Sequence, residues 1–187
     1  MSQREREFEV VFVCTGNRFR SPLAESLLRA ATEGLPVRVR SLGMLRVDGE
    51  PAFAEAVEAG RTLGVDLSEH RSACIDGVDL SGADLVIGFQ FDHVARAVIE
   101  AGAQRGRTFL LPELVGLLEQ ARVRRDDDVV STAARAVEAA ADLRRARGPA
   151  PPHEIADPAG RSGKEAAQTV EQIATLTGRL ADALFSP

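Results

Sequence analysis

The chain contains no tryptophan and no tyrosine; its eight phenylalanines are its only aromatic residues. Any aromatic wall around a ligand must therefore come from phenylalanine. Cysteine is almost as scarce. Two residues, Cys14 and Cys74, exclude a disulfide scaffold and point to a reducing, cytoplasmic setting. No apolar run reaches the ~18 residues of a spanning helix, and the stretch Met1 to Glu9 is charged, so neither a membrane anchor nor a signal peptide is expected. Excess basic charge is absent too. The net charge of -5 argues against a nucleic-acid partner. What remains, 44% apolar and 27% charged residues over 187 positions, fits one globular domain with an ordinary core.

Apolar runs and turn formers set the order of elements. Phe8 to Val13 is apolar and β-branched and reads as a buried strand. Cys14 to Arg20 follows as a glycine-bearing turn. Ser21-Pro22 then opens a helix, with Ser as cap and Pro in the first turn, and Gly34 ends it. Val37 to Leu42 alternates as a second strand closed by Gly43. Pro51 to Leu63 is helical, Asp84 to Gly88 a strand, Asp92 to Ala101 a helix, and Arg107 to Leu111 a strand. A short helix runs from Pro112 to Leu118, and a long one closes the chain from Gly163 to Phe185. Strands alternating with helices predict an α/β fold, a four-stranded parallel sheet with helices on both faces.

One stretch differs. Arg122 to Arg147 is rich in Arg, Asp and Ala, with a thin apolar stripe at Val130, Ala133, Ala134, Val137 and Ala141. It predicts a solvated surface helix, or else a docking helix or cover over the site. The loop Gly148 to Ala156, with three prolines, follows it. The expected organisation is a single domain over 1–187 with a helical and loop insertion at about 122–152.

Chemistry concentrates where the first strand ends. Cys14 is followed by five residues, then Arg20 and Ser21. Successive backbone N–H groups running into a helix start form an anion site. Gly16 is expected to supply the positive φ of the tight path. Arg20 adds a bidentate fork for two phosphate oxygens. A cysteine in that positive field is favoured as the thiolate, a nucleophile facing phosphorus. Ser21 can donate to its sulfur. Other constellations carry less. Gly160 to Glu165 lacks the fixed positions of a nucleotide-phosphate loop, and His93 and His153 have no partner at metal-ligand spacing.

The run Val13 to Pro22 resembles the signature of the low-molecular-weight protein tyrosine phosphatases, bacterial type, whose loop reads Cys, any, Gly, Asn, any, any, Arg, Ser. The resemblance implies a three-layer sandwich and hydrolysis of phosphomonoesters, protein phosphotyrosine among them, through a phosphocysteine. It implies catalytic roles for Cys14, Arg20 and Asp157, the last in an Asp157-Pro158 pair before the final helix. Thr15, Gly16, Asn17, Arg18, Phe19, Arg20 and Ser21 would bind phosphate, and Asn17, Ser21, Ser41 and His70 would support the loop. No metal or organic cofactor is implied. The partner would be a phosphorylated protein, such as a tyrosine kinase of polysaccharide export, or a small phosphoester.

Departures from the family bear on substrate and redox behaviour. The position of a second loop cysteine holds Phe19, so oxidised Cys14 lacks its usual disulfide partner unless Cys74 reaches it. The aromatic cleft positions hold Met44 to Val47 and Ala159-Gly160, which leaves Phe19 and Phe91 as substitutes. Two other functions stay open at this point: an arsenate reductase-like redox enzyme on the same fold, which needs relay cysteines, and a non-catalytic module that binds an anion or a partner.

Overall fold

The computed structural model describes residues 6–125, 128–148, 151, 153–161 and 163–186. Strands β1 (Phe8–Cys14), β2 (Val37–Gly43), β3 (Leu85–Gly88) and β4 (Thr108–Leu110) form one parallel sheet in the order β2-β1-β3-β4. β1 pairs with β2 from Phe8↔Val37 to Cys14↔Gly43, and with β3 from Val10↔Leu85 to Val13↔Gly88. Helices cover both of its faces, which is why the strand is apolar almost throughout. Phe8, Val10, Phe12 and Cys14 join the larger core, while Val11 and Val13 join a second one.

The helices are α1 (Arg20–Ala31), α2 (Ala54–Thr62), α3 (Phe91–Ile99), α4 (Leu111–Leu118), α5 (Val129–Arg147) and α6 (Gly163–Phe185). α6 packs on α1 and α4, and α5 packs on α4 and α6. α3 supplies Ala97 to the second core, beside Ile75, Leu80 and Ala83. β2 and β3 flank β1 on opposite sides, so the chain leaves the central strand in two directions. A crevice opens at such a switch point, beyond the carboxyl ends of the strands. Cys14 is the last residue of β1 and lies there.

Four sequence expectations need correction. Ser21 does not cap α1: the helix begins at Arg20, its N-cap is Phe19, and no side chain caps it. α2 begins at Ala54 because Pro51 pairs with Arg71 in an antiparallel bridge instead. α1 ends at Ala31, before Gly34, where the Thr32 hydroxyl donates to the Leu28 carbonyl. α5 is not a solvated stripe. Val130, Ala133, Ala136, Val137, Ala140 and Ala141 are buried in the larger core. Alanine adds little hydrophobicity to a sequence pattern, but its small side chain lets helices approach closely. Of the segments expected to be loop or mixed-charge surface, Asp126, Asp127, Pro149, Ala150 and Pro152 lie outside the described residues. Among the described residues no helix is long and apolar enough to cross a membrane.

Candidate active site

The turn from β1 into α1 bends around the sulfur of Cys14. Ser21 Oγ stands 2.9 Å from Sγ, and the Asn17 backbone N–H donates to Sγ at 3.3 Å. The positive φ expected at Gly16 belongs to Asn17, at 51°, the one non-glycine residue of this kind among those described. Such a conformation costs about 1–3 kcal/mol and persists only where the surroundings over-determine it. Here they do. Asn17 Nδ2 donates to Ser21 Oγ at 2.9 Å and to Ser41 Oγ at 2.7 Å, and Oδ1 accepts from Ala73 N at 2.9 Å. His70 Nε2 donates to the Asn17 carbonyl at 2.7 Å.

This wiring has a direction. Asn17 spends both amide hydrogens on the two serine oxygens. Each hydroxyl then passes its own hydrogen on: Ser41 to Glu25 Oε2 at 2.5 Å, Ser21 to Cys14 Sγ at 2.9 Å or to the Leu42 carbonyl at 3.4 Å. Glu25 is buried on α1 and also accepts from Arg29. Hydrogen bonds of this kind can hold an anionic sulfur in place. The structure thus brings together the Asn17, Ser21, Ser41 and His70 set expected from the sequence, and it adds Glu25.

Arg20 closes the other side. The side chain is buried, and both its terminal nitrogens are hydrogen-bonded. Nη1 donates to Gln90 Oε1 at 2.7 Å and to the Ile155 carbonyl at 2.9 Å, and Nη2 donates to Thr15 Oγ1 at 2.9 Å and Asp157 Oδ2 at 2.5 Å. Asp157 is held in turn. Its Oδ1 accepts from Ala159 N at 3.0 Å, and the Ile155 N–H donates to the Phe89 carbonyl at the end of β3. The Asp-Pro segment therefore reaches the loop from across 137 residues of sequence.

His93 and Gln90, both missed by the sequence reading, carry this assembly from behind. His93 is buried, and its Nδ1 accepts from the backbone N–H groups of Phe89 and Gln90. That fixes the tautomer, so Nε2–H donates to Thr15 Oγ1 at 3.1 Å. Burial, then the nearby Arg20 charge, pushes its pKa down to about 3, against a weaker opposing pull from Asp157. The unfolded chain takes up this proton near pH 6.5 and the folded chain not until about 3, so stability falls as pH drops through that window. The expected slope is about 1.4 kcal/mol per pH unit below 6.5. Urea titrations at pH 7, 5 and 4 check it: the His93→Asn variant should lose that share of the slope, and an unchanged slope would remove His93 as its source.

Gly43 does more than close β2. A Cβ there would lie 2.9 Å from Asn17 Cβ, Asn17 N and Gly16 C. The loop therefore rests directly on the β2 backbone, and any side chain at 43 would push it away. Gly16 itself has open space where a Cβ would stand.

The remaining loop residues anchor rather than reach. Phe19 is buried in the larger core, which removes it as a cleft aromatic. Arg18 donates from Nε to the Pro51 carbonyl at 2.8 Å and stacks on Phe53, 4.2 Å from the ring centroid. Leu45, whose N–H donates to the Thr15 carbonyl, is 51% exposed, and Phe91, next to Gln90, is 59% exposed. Cys74 bridges Gly43 on the side opposite Cys14. Two strand spacings of about 4.8 Å separate the cysteines, beyond the ~7 Å limit for a disulfide without backbone movement.

Comparison with known proteins settles the kinship. Residues 9–139 match the family described as low molecular weight phosphotyrosine protein phosphatase. The chain belongs to that family. It is a cysteine-dependent phosphatase, so neither the arsenate reductase-like nor the non-catalytic alternative is needed. A protein-arginine-phosphatase of Bacillus subtilis is 37% identical over 109 residues, 57% of this chain and 72% of that one. The low molecular weight protein-tyrosine-phosphatase Etp of Escherichia coli K12 is 34% identical over 101 residues, 54% and 67% of the two chains. The crystal structure of a low molecular weight protein tyrosine phosphatase from T. tengcongensis superposes with a TM-score of 0.70 at 28% identity, covering 95% of this chain and all of that one.

Proposed function

We propose that this phosphatase hydrolyses phosphotyrosine on protein substrates through a phosphocysteine at Cys14. The observation that carries the reading is the convergence on one loop of a hydrogen-bonded sulfur and an Arg20–Asp157 pair. In the first step Cys14 Sγ attacks phosphorus. An S–P bond forms, the P–O bond to the phenol breaks, and Asp157 delivers a proton to the departing oxygen. Arg20 and the uncapped amides of the first turn of α1 hold the equatorial oxygens, where charge is spread in the transition state. In the second step Asp157 takes a proton from water, the water oxygen attacks phosphorus, and the S–P bond breaks. The thiolate leaves onto the Ser21 hydroxyl and the Asn17 N–H.

Relatives of this chain are named for phosphotyrosine and for phosphoarginine. The rim favours the aryl ester. Its exposed walls, Leu45 and Phe91, are apolar, and the loop itself carries the cation Arg18. An N-phosphorylated guanidinium needs acceptors for its N–H groups, and Asp157 already serves Arg20 and Ala159. Phosphate release from matched phosphotyrosyl and phosphoarginyl peptides tests the choice. The tyrosyl peptide should be turned over at least about tenfold faster, the worth of one stacked ring and one unpaired guanidinium donor. Faster release from the arginyl peptide would reverse the assignment.

A further inference from the structure

Helix α3 leaves the cleft with an apolar side turned to water. His93 and Ala97 point inward and are buried. Phe91, Ala95 and Ile99 recur at intervals of four and stand roughly 120–160° round the helix from those two residues. They therefore form one ridge on the outer side, with Phe91 and Ile99 exposed and Ala95 half-buried between them. Phe91 is 59% and Ile99 80% exposed, two of the four large exposed hydrophobics among the described residues. Surface helices ordinarily carry polar residues along this line.

The ridge is continuous with the site. Phe91 follows Gln90, whose side chain holds Arg20, and its N–H donates to Glu154 in the segment that carries Asp157. Its outer end lies ~12 Å away, eight residues of helical rise. An extended peptide covers that in about four residues at ~3.3 Å each. The area is too small for a lasting partner. A stable interface buries ~800 Å² per side, which one Phe, one Ala and one Ile cannot approach. The contact suits an occupant that binds during turnover and leaves.

We infer that the Phe91–Ala95–Ile99 ridge docks an apolar side chain of the substrate polypeptide, about three to five residues from the phosphorylated one. The inference rests on the protein-substrate reading above and gives that reading a sequence preference. The test uses the full chain, phosphotyrosyl peptides in which one leucine is scanned through a Gly/Ser background on both sides, and para-nitrophenyl phosphate as a substrate too small to touch Ile99. One leucine position should raise kcat/KM about tenfold, the worth of a partly buried leucine. Ile99→Asp should erase that gain, leave para-nitrophenyl phosphate hydrolysis within twofold, and Ile99→Leu should restore it. Peptides hydrolysed equally well at every leucine position, or a gain that survives Ile99→Asp, would overturn the docking ridge alone. No peptide turnover beside active para-nitrophenyl phosphate hydrolysis would instead overturn the protein-substrate reading. A wild-type dimer that Ile99→Asp converts to monomer would assign the ridge to a second copy and refute the proposal.

Discussion

Cys14→Ser is expected to abolish turnover, a loss of about 10⁴-fold or more in kcat of the size seen when an enzyme's nucleophile is removed. The replacement is nearly isosteric and Cys14 is buried, so the fold should tolerate it. What changes is ionisation. The Ser21 hydroxyl and the Asn17 N–H can hold a thiolate in place, but they cannot make an alcohol ionise at neutral pH. The anion-binding parts of the loop are untouched, since Arg20 and the first-turn amides of α1 do not depend on the sulfur. Calorimetry with inorganic phosphate should therefore show binding within a few-fold of wild type while para-nitrophenyl phosphate hydrolysis disappears. Hydrolysis within tenfold of wild type would place the nucleophile elsewhere. Loss of phosphate binding together with activity would mean that the sulfur holds the loop open, a structural role.

The part of this site that was legible in the sequence is the part whose neighbours are close along the chain. Cys14, Asn17, Arg20 and Ser21 fall within one turn, so spacing alone brings them together. The β1 run, with Cys14 at its carboxyl end, followed from its almost wholly apolar character, which a strand covered on both faces needs. Glu25 was illegible because on α1 it looks like any polar residue of a surface helix. It acquires its role only when β2 delivers Ser41 from 16 residues away. Gln90 and His93 became partners of Arg20 and Thr15 only after α3 was placed beside the loop, 70 and 78 residues on. In sequence Gly43 carries only the usual meaning of a glycine after a strand, a stop. The loop lying against its Cα gives it a different one. Asn17 hydrogen-bonds the other residues expected to support the loop, and the positive φ expected at Gly16 is its own. Glycine is the cheaper residue there; asparagine is the one with four hydrogen-bonding groups to hold the conformation once formed.

Asp157→Asn should lower kcat/KM by about 10²–10⁴-fold on a phosphate ester of an ordinary phenol, the usual contribution of a general acid. Asparagine keeps the acceptor for the Ala159 N–H, so the segment 153–158 should remain seated on Phe89 and beside Arg20. It cannot supply a proton. The loss must then depend on how much the leaving oxygen needs one. A phenol resembling tyrosine, with a pKa of about 10, departs poorly as the anion, whereas para-nitrophenol departs readily. A series of aryl phosphates of falling phenol pKa should therefore show a shrinking defect in kcat/KM, which reports P–O cleavage. A structural role for Asp157 would lower the whole series by one factor. The second step supplies an independent reading. Water must lose a proton as it attacks phosphorus, and the Asn variant has no base to take it, so the phosphocysteine should accumulate on rapid quenching with the most reactive esters. The Arg20 contact predicts a third effect of opposite sign. Asp157 Oδ2 occupies an Nη2 hydrogen that a phosphoryl oxygen can claim, and a neutral amide competes for it less well than a carboxylate. Inorganic phosphate should bind Asp157→Asn at least as tightly as wild type. Weaker phosphate binding, combined with a defect that ignores the leaving group, would make Asp157 a prop for Arg20 and not the acid.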